Sequence, residues 1–157
     1  MNTIRIAKGN VLFYLINTNS SSPLDSFKEK FTLMSQGEKI LIVEDNDFVR
    51  MQVVTYLQEA GYNVVEASNG AEGLAMITPD LALVILDVRM EPVDGFEFIK
   101  AVRGRNTTLP LILVTGDQNP DLLNEASKWS VSAVLMKPVQ RDRLISMAER
   151  AITKVKR

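Results

Sequence analysis

The sequence predicts an α/β fold, a doubly wound sheet of five parallel strands, on three observations. From Lys39 onward short β-rich runs alternate with helical patterns, the signature of βα units around a parallel sheet. Four of the runs are continuously apolar, as strands covered on both faces are. Each of those four ends on a polar side chain. Lys39-Ile40-Leu41-Ile42-Val43 runs into Glu44-Asp45, Leu83-Val84-Ile85-Leu86 into Asp87, Leu111-Ile112-Leu113-Val114 into Thr115, and Ala133-Val134-Leu135-Met136 into Lys137-Pro138. If the runs are neighbouring parallel strands, their carboxyl ends share one edge, and three carboxylates, a hydroxyl and an ammonium converge there.

After the first strand, Asn46-Asp47 offers an N-cap and Gly61 a C′ residue, with Met51, Val54, Leu57 and Ala60 between them as the expected buried face. The second strand, Asn63 to Ala67, has no pocket-type residue at its end. Asn69-Gly70 starts a small helix with Ala71, Leu74 and Ala75 expected inward, stopped near Pro79. Phe96, Ile99 and Val102 mark a third helix after Asp87. Asn119-Pro120 supplies an N-cap and an N1 proline for a fourth, with Leu122, Leu123 and Ala126 as its stripe. The fifth carries Leu144, Ala148, Ala151 and Val155 inward and Arg141, Arg143 and Arg150 elsewhere. Five strands and five helices are expected to fill residues 38–157, with no room among them for an output domain.

Composition agrees with one such domain. A chain of 157 residues buries roughly 68–70% of its unfolded surface without staples. With no cysteine and no histidine, it has no disulfide, no thiol nucleophile, no His or Cys zinc ligand and no histidine phosphocarrier of its own. Net charge of −1 gives no global attraction to nucleic acid or anionic membrane. Residues 119–157 hold eight Lys or Arg against four Asp or Glu. Lys154, Lys156 and Arg157 fall at the end of the fifth helix, where cations suit the helix dipole.

Residues 1–37 read differently. The run Val11-Leu12-Phe13-Tyr14-Leu15-Ile16 is shorter than a usual signal-peptide core of roughly 7–15 residues and far too short to span a bilayer. Met34 stands just before the first strand. The segment is expected to be a peripheral tail or the product of an upstream start codon, against the alternative of an anchor or docking segment.

At the strand ends the sequence resembles the receiver domain of two-component response regulators. The resemblance covers residues 38–157 almost end to end. It rests on the acidic pair Glu44-Asp45, the lone Asp87, Asp94-Gly95 seven and eight residues later, Thr115, and Lys137-Pro138. It implies a flavodoxin-like three-layer αβα fold with strand order 2-1-3-4-5, and Asp87 as phosphoacceptor for a histidine kinase or histidine phosphotransfer protein. It further implies Mg²⁺ or Mn²⁺ held by Asp45, Asp87 and the main-chain carbonyl of Arg89, with Glu44 acting through water. Thr115 and Lys137 would bind phosphoryl oxygens, and Gly116 would leave space for the transferred group. The Lys-Pro bond is commonly cis in this family. The protein implied is a cytoplasmic switch of protein–protein interactions and not a turnover enzyme, with a homodimer through the fourth helix, fifth strand and fifth helix compatible with it.

Two departures from the family pattern stand out. Val134 holds a position usually aromatic, three before the lysine, which argues for an altered readout of Thr115. Glu91 holds the place of the usual proline and Pro92 follows, reshaping a loop whose spacing to Gly95 is unchanged. Arg89 and Asp117, two residues after Asp87 and Thr115, are expected to pair across the pocket mouth. The competing reading is a receiver-like binding module independent of phosphorylation. A haloacid dehalogenase-type phosphohydrolase would want an Asp where Arg89 stands, and no Gly-x-x-x-x-Gly-Lys sequence supports a P-loop.

Overall fold

The structure, a computed structural model, describes residues 37–105 and 107–155. Ten elements alternate along the chain: β1 (Lys39–Val43), α1 (Asp47–Glu59), β2 (Asn63–Ala67), α2 (Gly70–Ala75), β3 (Leu81–Asp87), α3 (Gly95–Gly104), β4 (Leu111–Thr115), α4 (Pro120–Lys128), β5 (Ala133–Met136) and α5 (Arg141–Val155). The expected N-terminal extension, Gly37 apart, lies outside the described residues, as do Lys156 and Arg157. The strands form one parallel sheet in the order β2-β1-β3-β4-β5. This is the doubly wound αβα arrangement expected from the sequence. β3 begins two residues earlier than its apolar run suggested, at Leu81.

Strand alternation divides the core in two. Leu41, Val43, Val84, Leu86, Leu111 and Leu113 face α2, α3 and α4, where Phe98, Ile99, Val102, Leu122 and Ala126 meet them. Ile40, Ile42, Leu83, Ile85, Ile112 and Val114 face α1 and α5, against Val53, Leu57, Leu144, Ala148, Ala151 and Ile152. The central strands read as apolar runs because both faces are covered.

Helix starts follow the caps read from the sequence. Asn46 Oδ1 accepts from the Phe48 and Val49 amides, Asn69 from Glu72, and Asn119 from Asp121 with Pro120 at the first turn. Asp94 and Glu97 form a reciprocal capping box. Gly61 has φ +92°, the left-handed residue that closes α1.

Several helix faces differ from expectation. In α1, Met51 is 59% exposed and the buried side chains are Val53 and Leu57. In α2, Ala71 and Ala75 are exposed and Leu74 half-buried, because the helix approaches through its glycines. A Cβ on Gly73 would lie 2.8 Å from Val43 Cγ2, and one on Gly70 2.8 Å from Val93 Cβ. In α3, Phe98 is fully buried while Phe96 is half-buried. Leu123 of α4 and Val155 of α5 are exposed, and Ile152 takes the inward position near the end of α5.

Candidate functional site

Among the described residues, the buried polar or charged ones are Glu44 (3% exposed), Asp87 (5%) and Thr115 (0%). All three sit at the carboxyl edge of the sheet, where such folds place their ligands. The reason is positional. The order β1-β3-β4 sets the ends of three strands side by side, and Asp87 ends β3 opposite Val114 of β4. Glu44 follows Val43, which pairs with Leu86, so the period of two carries Glu44 and Asp87 to the same face. Thr115 falls in the alternate register, on the face of α3 and α4.

Carboxylate oxygens of Glu44, Asp45 and Asp87 lie within 4.8 Å of one another. Asp45 is exposed and the other two are buried. Lys137, one residue beyond β5, reaches across β4 and donates to Asp87 Oδ2 at 3.0 Å and lies 2.9 Å from Glu44 Oε2. Burial lifts the Glu44 carboxyl above its usual range, against the Lys137 bond, and the neighbouring Asp87 charge adds to the rise. Burial alone would lower Lys137, but its bonds to Glu44 and Asp87 outweigh that, and its pKa is raised. Lys137 is thus a cation at neutral pH, balancing one of the crowded negative charges.

The rest of the edge is held by the backbone. Lys137 N donates to Thr115 O at 2.8 Å, and the Lys137–Pro138 and Glu91–Pro92 bonds are cis. Thr115 Oγ1 accepts from the Asp117 amide at 3.0 Å, which leaves its proton to donate elsewhere. Gly95 N donates to Val88 O at 2.9 Å, closing the loop after Asp87 so tightly that a Cβ on Gly95 would run into the Asp87 carbonyl and lie 2.8 Å from Val88 Cα. A Cβ on Gly116 would meet nothing, leaving open room beside Thr115. The exposed Arg89 side chain donates to Asp117 Oδ2, the pairing the sequence suggested, and this bond holds the Asp117 carboxyl below its usual range.

Arg50 was not singled out by the sequence. It is half-buried behind the acidic strand end and donates to the Glu44 carbonyl at 2.9 Å, to Asp47 Oδ1 at 2.7 Å and to Glu66 Oε2 at 3.1 Å. A cleft of about 710 Å³ opens at the opposite edge between Thr78, Asp80, Arg105, Pro110 and Ile152. It lies away from the acidic cluster, where Asp45 is the exposed member.

Comparison with known proteins agrees with this geometry. Residues 40–149 match the response regulator receiver domain family. The chain is 32% identical over 112 residues to the CAI-1 autoinducer sensor kinase/phosphatase CqsS of Vibrio cholerae, covering 69% of this chain and 16% of that protein. It is 30% identical to the C4-dicarboxylate transport transcriptional regulatory protein DctD of Rhizobium meliloti, covering 75% of this chain and 26% of that one. The chain therefore spans between about a sixth and a quarter of these relatives. Among solved structures, the chemotaxis protein CheY4 of Vibrio cholerae superposes with a TM-score of 0.68 at 32% identity, over 73% of this chain and 98% of that one. A receiver domain from Clostridium thermocellum gives 0.72 at 26% identity, over 76% and 97%. The chain belongs to the response regulator receiver domain family of two-component systems.

Proposed function

We propose that residues 38–157 form a phosphoacceptor switch that takes a phosphoryl group on Asp87 from a histidine kinase or histidine phosphotransfer protein. The observation that carries the reading is the concentration of buried polar residues at one sheet edge, with Lys137 bridging Glu44 and Asp87.

The donor set fits a hard divalent cation. Three carboxylates within 4.8 Å offer only oxygen, as Mg²⁺ or Mn²⁺ prefers, and their mutual repulsion is relieved by positive charge. Asp45, Asp87 and the Arg89 main-chain carbonyl would hold it, with Glu44 acting through water. Such a cation, when bound, supplies neutralisation of phosphoryl oxygens.

The step is an in-line displacement. Lys137 engages Asp87 Oδ2, so Oδ1 is the oxygen that attacks phosphorus. An O–P bond forms as the donor's N–P or O–P bond breaks, and the leaving group keeps the electron pair. Lys137 then turns from the carboxylates toward one phosphoryl oxygen, and the Thr115 proton serves another. Water attacking the same phosphorus returns Asp87 to its carboxylate and ends the signal. The altered state is read at α4 and β5, where Leu123 and Met136 are exposed, by a partner protein or a second copy.

Intact mass after exposure to acetyl phosphate tests this, with and without Mg²⁺. The expected result is a Mg²⁺-dependent phosphoryl adduct on wild type and none on Asp87→Asn. A folded, Mg²⁺-binding sample with no adduct would favour the second reading, a phosphorylation-independent binding module. Val134 supports that reading: it is half-buried in the α3–α4 core and has no ring to follow Thr115.

A further inference from the structure

Asp45 is the one exposed member of the acidic cluster, so its place depends on the chain either side of it. Glu44 is held at both main-chain groups. Its N–H donates to Ala67 O at 3.2 Å, and its carbonyl accepts from Arg50 Nη1 at 2.9 Å. On the other side, Asn46 N donates to Glu44 Oε1 at 3.1 Å while Asn46 Oδ1 caps α1. The Ala67, Glu44 and Asn46 contacts are local to the strand end. Arg50 is different, because it ties that end to two other elements at once.

Each nitrogen of the Arg50 guanidinium has its own acceptor: Nη1 the Glu44 carbonyl, Nη2 Asp47 of α1, and Nε Glu66 of β2. A planar fork fixed at two carboxylates holds its third donor in a set direction, which an ammonium on a flexible stem cannot do. A residue serving only to join α1 to β2 would need the Glu66 ion pair and no bond to the carbonyl at the site, since Asp47 lies on α1 with Arg50. We propose that Arg50 is a positioning residue for the cation site: it locks the main chain at Glu44–Asp45 and so sets the Asp45 carboxylate at the spacing a divalent ion needs. The inference rests on the phosphoacceptor reading and goes beyond it, since Arg50 touches neither phosphoryl group nor ion. Partners that orient metal-binding groups typically govern roughly 10–100-fold in affinity.

The test is Mn²⁺ binding to the full chain without phosphodonor, followed by electron paramagnetic resonance, with thermal melts on the same samples. Arg50→Lys keeps the charge and loses the fork, and Glu66→Ala removes the β2 tie while leaving the Glu44 bond. The expected result is weaker Mn²⁺ binding by roughly 10–100-fold in Arg50→Lys, with a clearly smaller loss in Glu66→Ala, which keeps the Asp47 tie and the Glu44 bond, although its melting temperature falls. Arg50→Lys binding like wild type would overturn the proposal, as would an equal loss in Glu66→Ala. Wild type binding no Mn²⁺ would remove the phosphoacceptor reading itself, a result distinguishable from the first two because no variant is involved. Asp45→Asn, expected to lose binding, confirms that the ion measured is at this site.

Discussion

Lys137 carries the electrostatic balance of the site at the scale of single residues. Lys137→Met leaves two buried carboxylates facing each other, which costs roughly 1–3 kcal/mol, less than for a fully buried pair because Lys137 keeps some contact with water. Urea unfolding should show that loss, and Mg²⁺ should restore more stability to the variant than to wild type. Equal Mg²⁺ effects would mean that Lys137 does not balance the cluster. The Arg89–Asp117 pair acts at the mouth. An exposed ion pair is weak and salt-sensitive, so if it slows water entry, Arg89→Ala should shorten the acyl-phosphate lifetime by no more than roughly fivefold, and high salt should do the same to wild type. An unchanged lifetime would exclude a gating role. The sequence exposes all these groups because each stands at a strand end, a position that periodicity marks. Arg50 escaped because its decisive partner is a main-chain carbonyl, which has no signature in the order of residues.

The elements show where pattern reading reaches its limit. Steps of three residues lag the helix by about 60° each, so Met51 and Ala60 fall roughly 180° apart, and a face counted in threes cannot be one face. The α1 contacts of Val53 and Leu57, four apart, follow the true period. In α2 the inward residues are Gly70 and Gly73, chosen for what they lack, and hydrophobicity gives no sign of such a face. The strands were legible because both faces are covered and their runs are bounded by polar ends. Glycine packing makes a direct prediction. Gly95→Ala sets a Cβ against the Asp87 and Val88 backbone, which cannot yield as a side chain can, and should destabilise by about 1–3 kcal/mol. Gly104→Ala, in the last turn of α3 with nothing near its Cβ, should be neutral or stabilise by up to about 1 kcal/mol. Equal melting temperatures for the two would contradict the close approach at Gly95.

For the whole molecule, the two cores are distinguishable by pH. Tyr62 is 6% exposed in the α1–α5 core, and burial, aided by the Glu149 and Glu38 charges, pushes its phenol up to about 12 from 10.0. The folded pKa lies above the unfolded one, so this contribution is fully present below pH about 10 and is lost as pH climbs through about 12. A shift of this size corresponds to about 2–3 kcal/mol. Denaturant unfolding across that range should therefore show a steeper loss in wild type than in Tyr62→Phe, and parallel curves would place the phenol in water. Strand order, the most global property of the fold, came from the family resemblance, because polar residues at four strand ends say that those strands share an edge and not in which order they lie.

The central claim is that this edge of the sheet is a phosphoacceptor with Asp87 as its nucleophile. Borohydride reduction of protein treated with acetyl phosphate and Mg²⁺, followed by peptide mass mapping, converts an aspartyl phosphate to homoserine and so marks the residue itself. Homoserine at position 87, dependent on Mg²⁺, is the predicted result. Reduction at Asp45 or another carboxylate, or at none, would contradict the account.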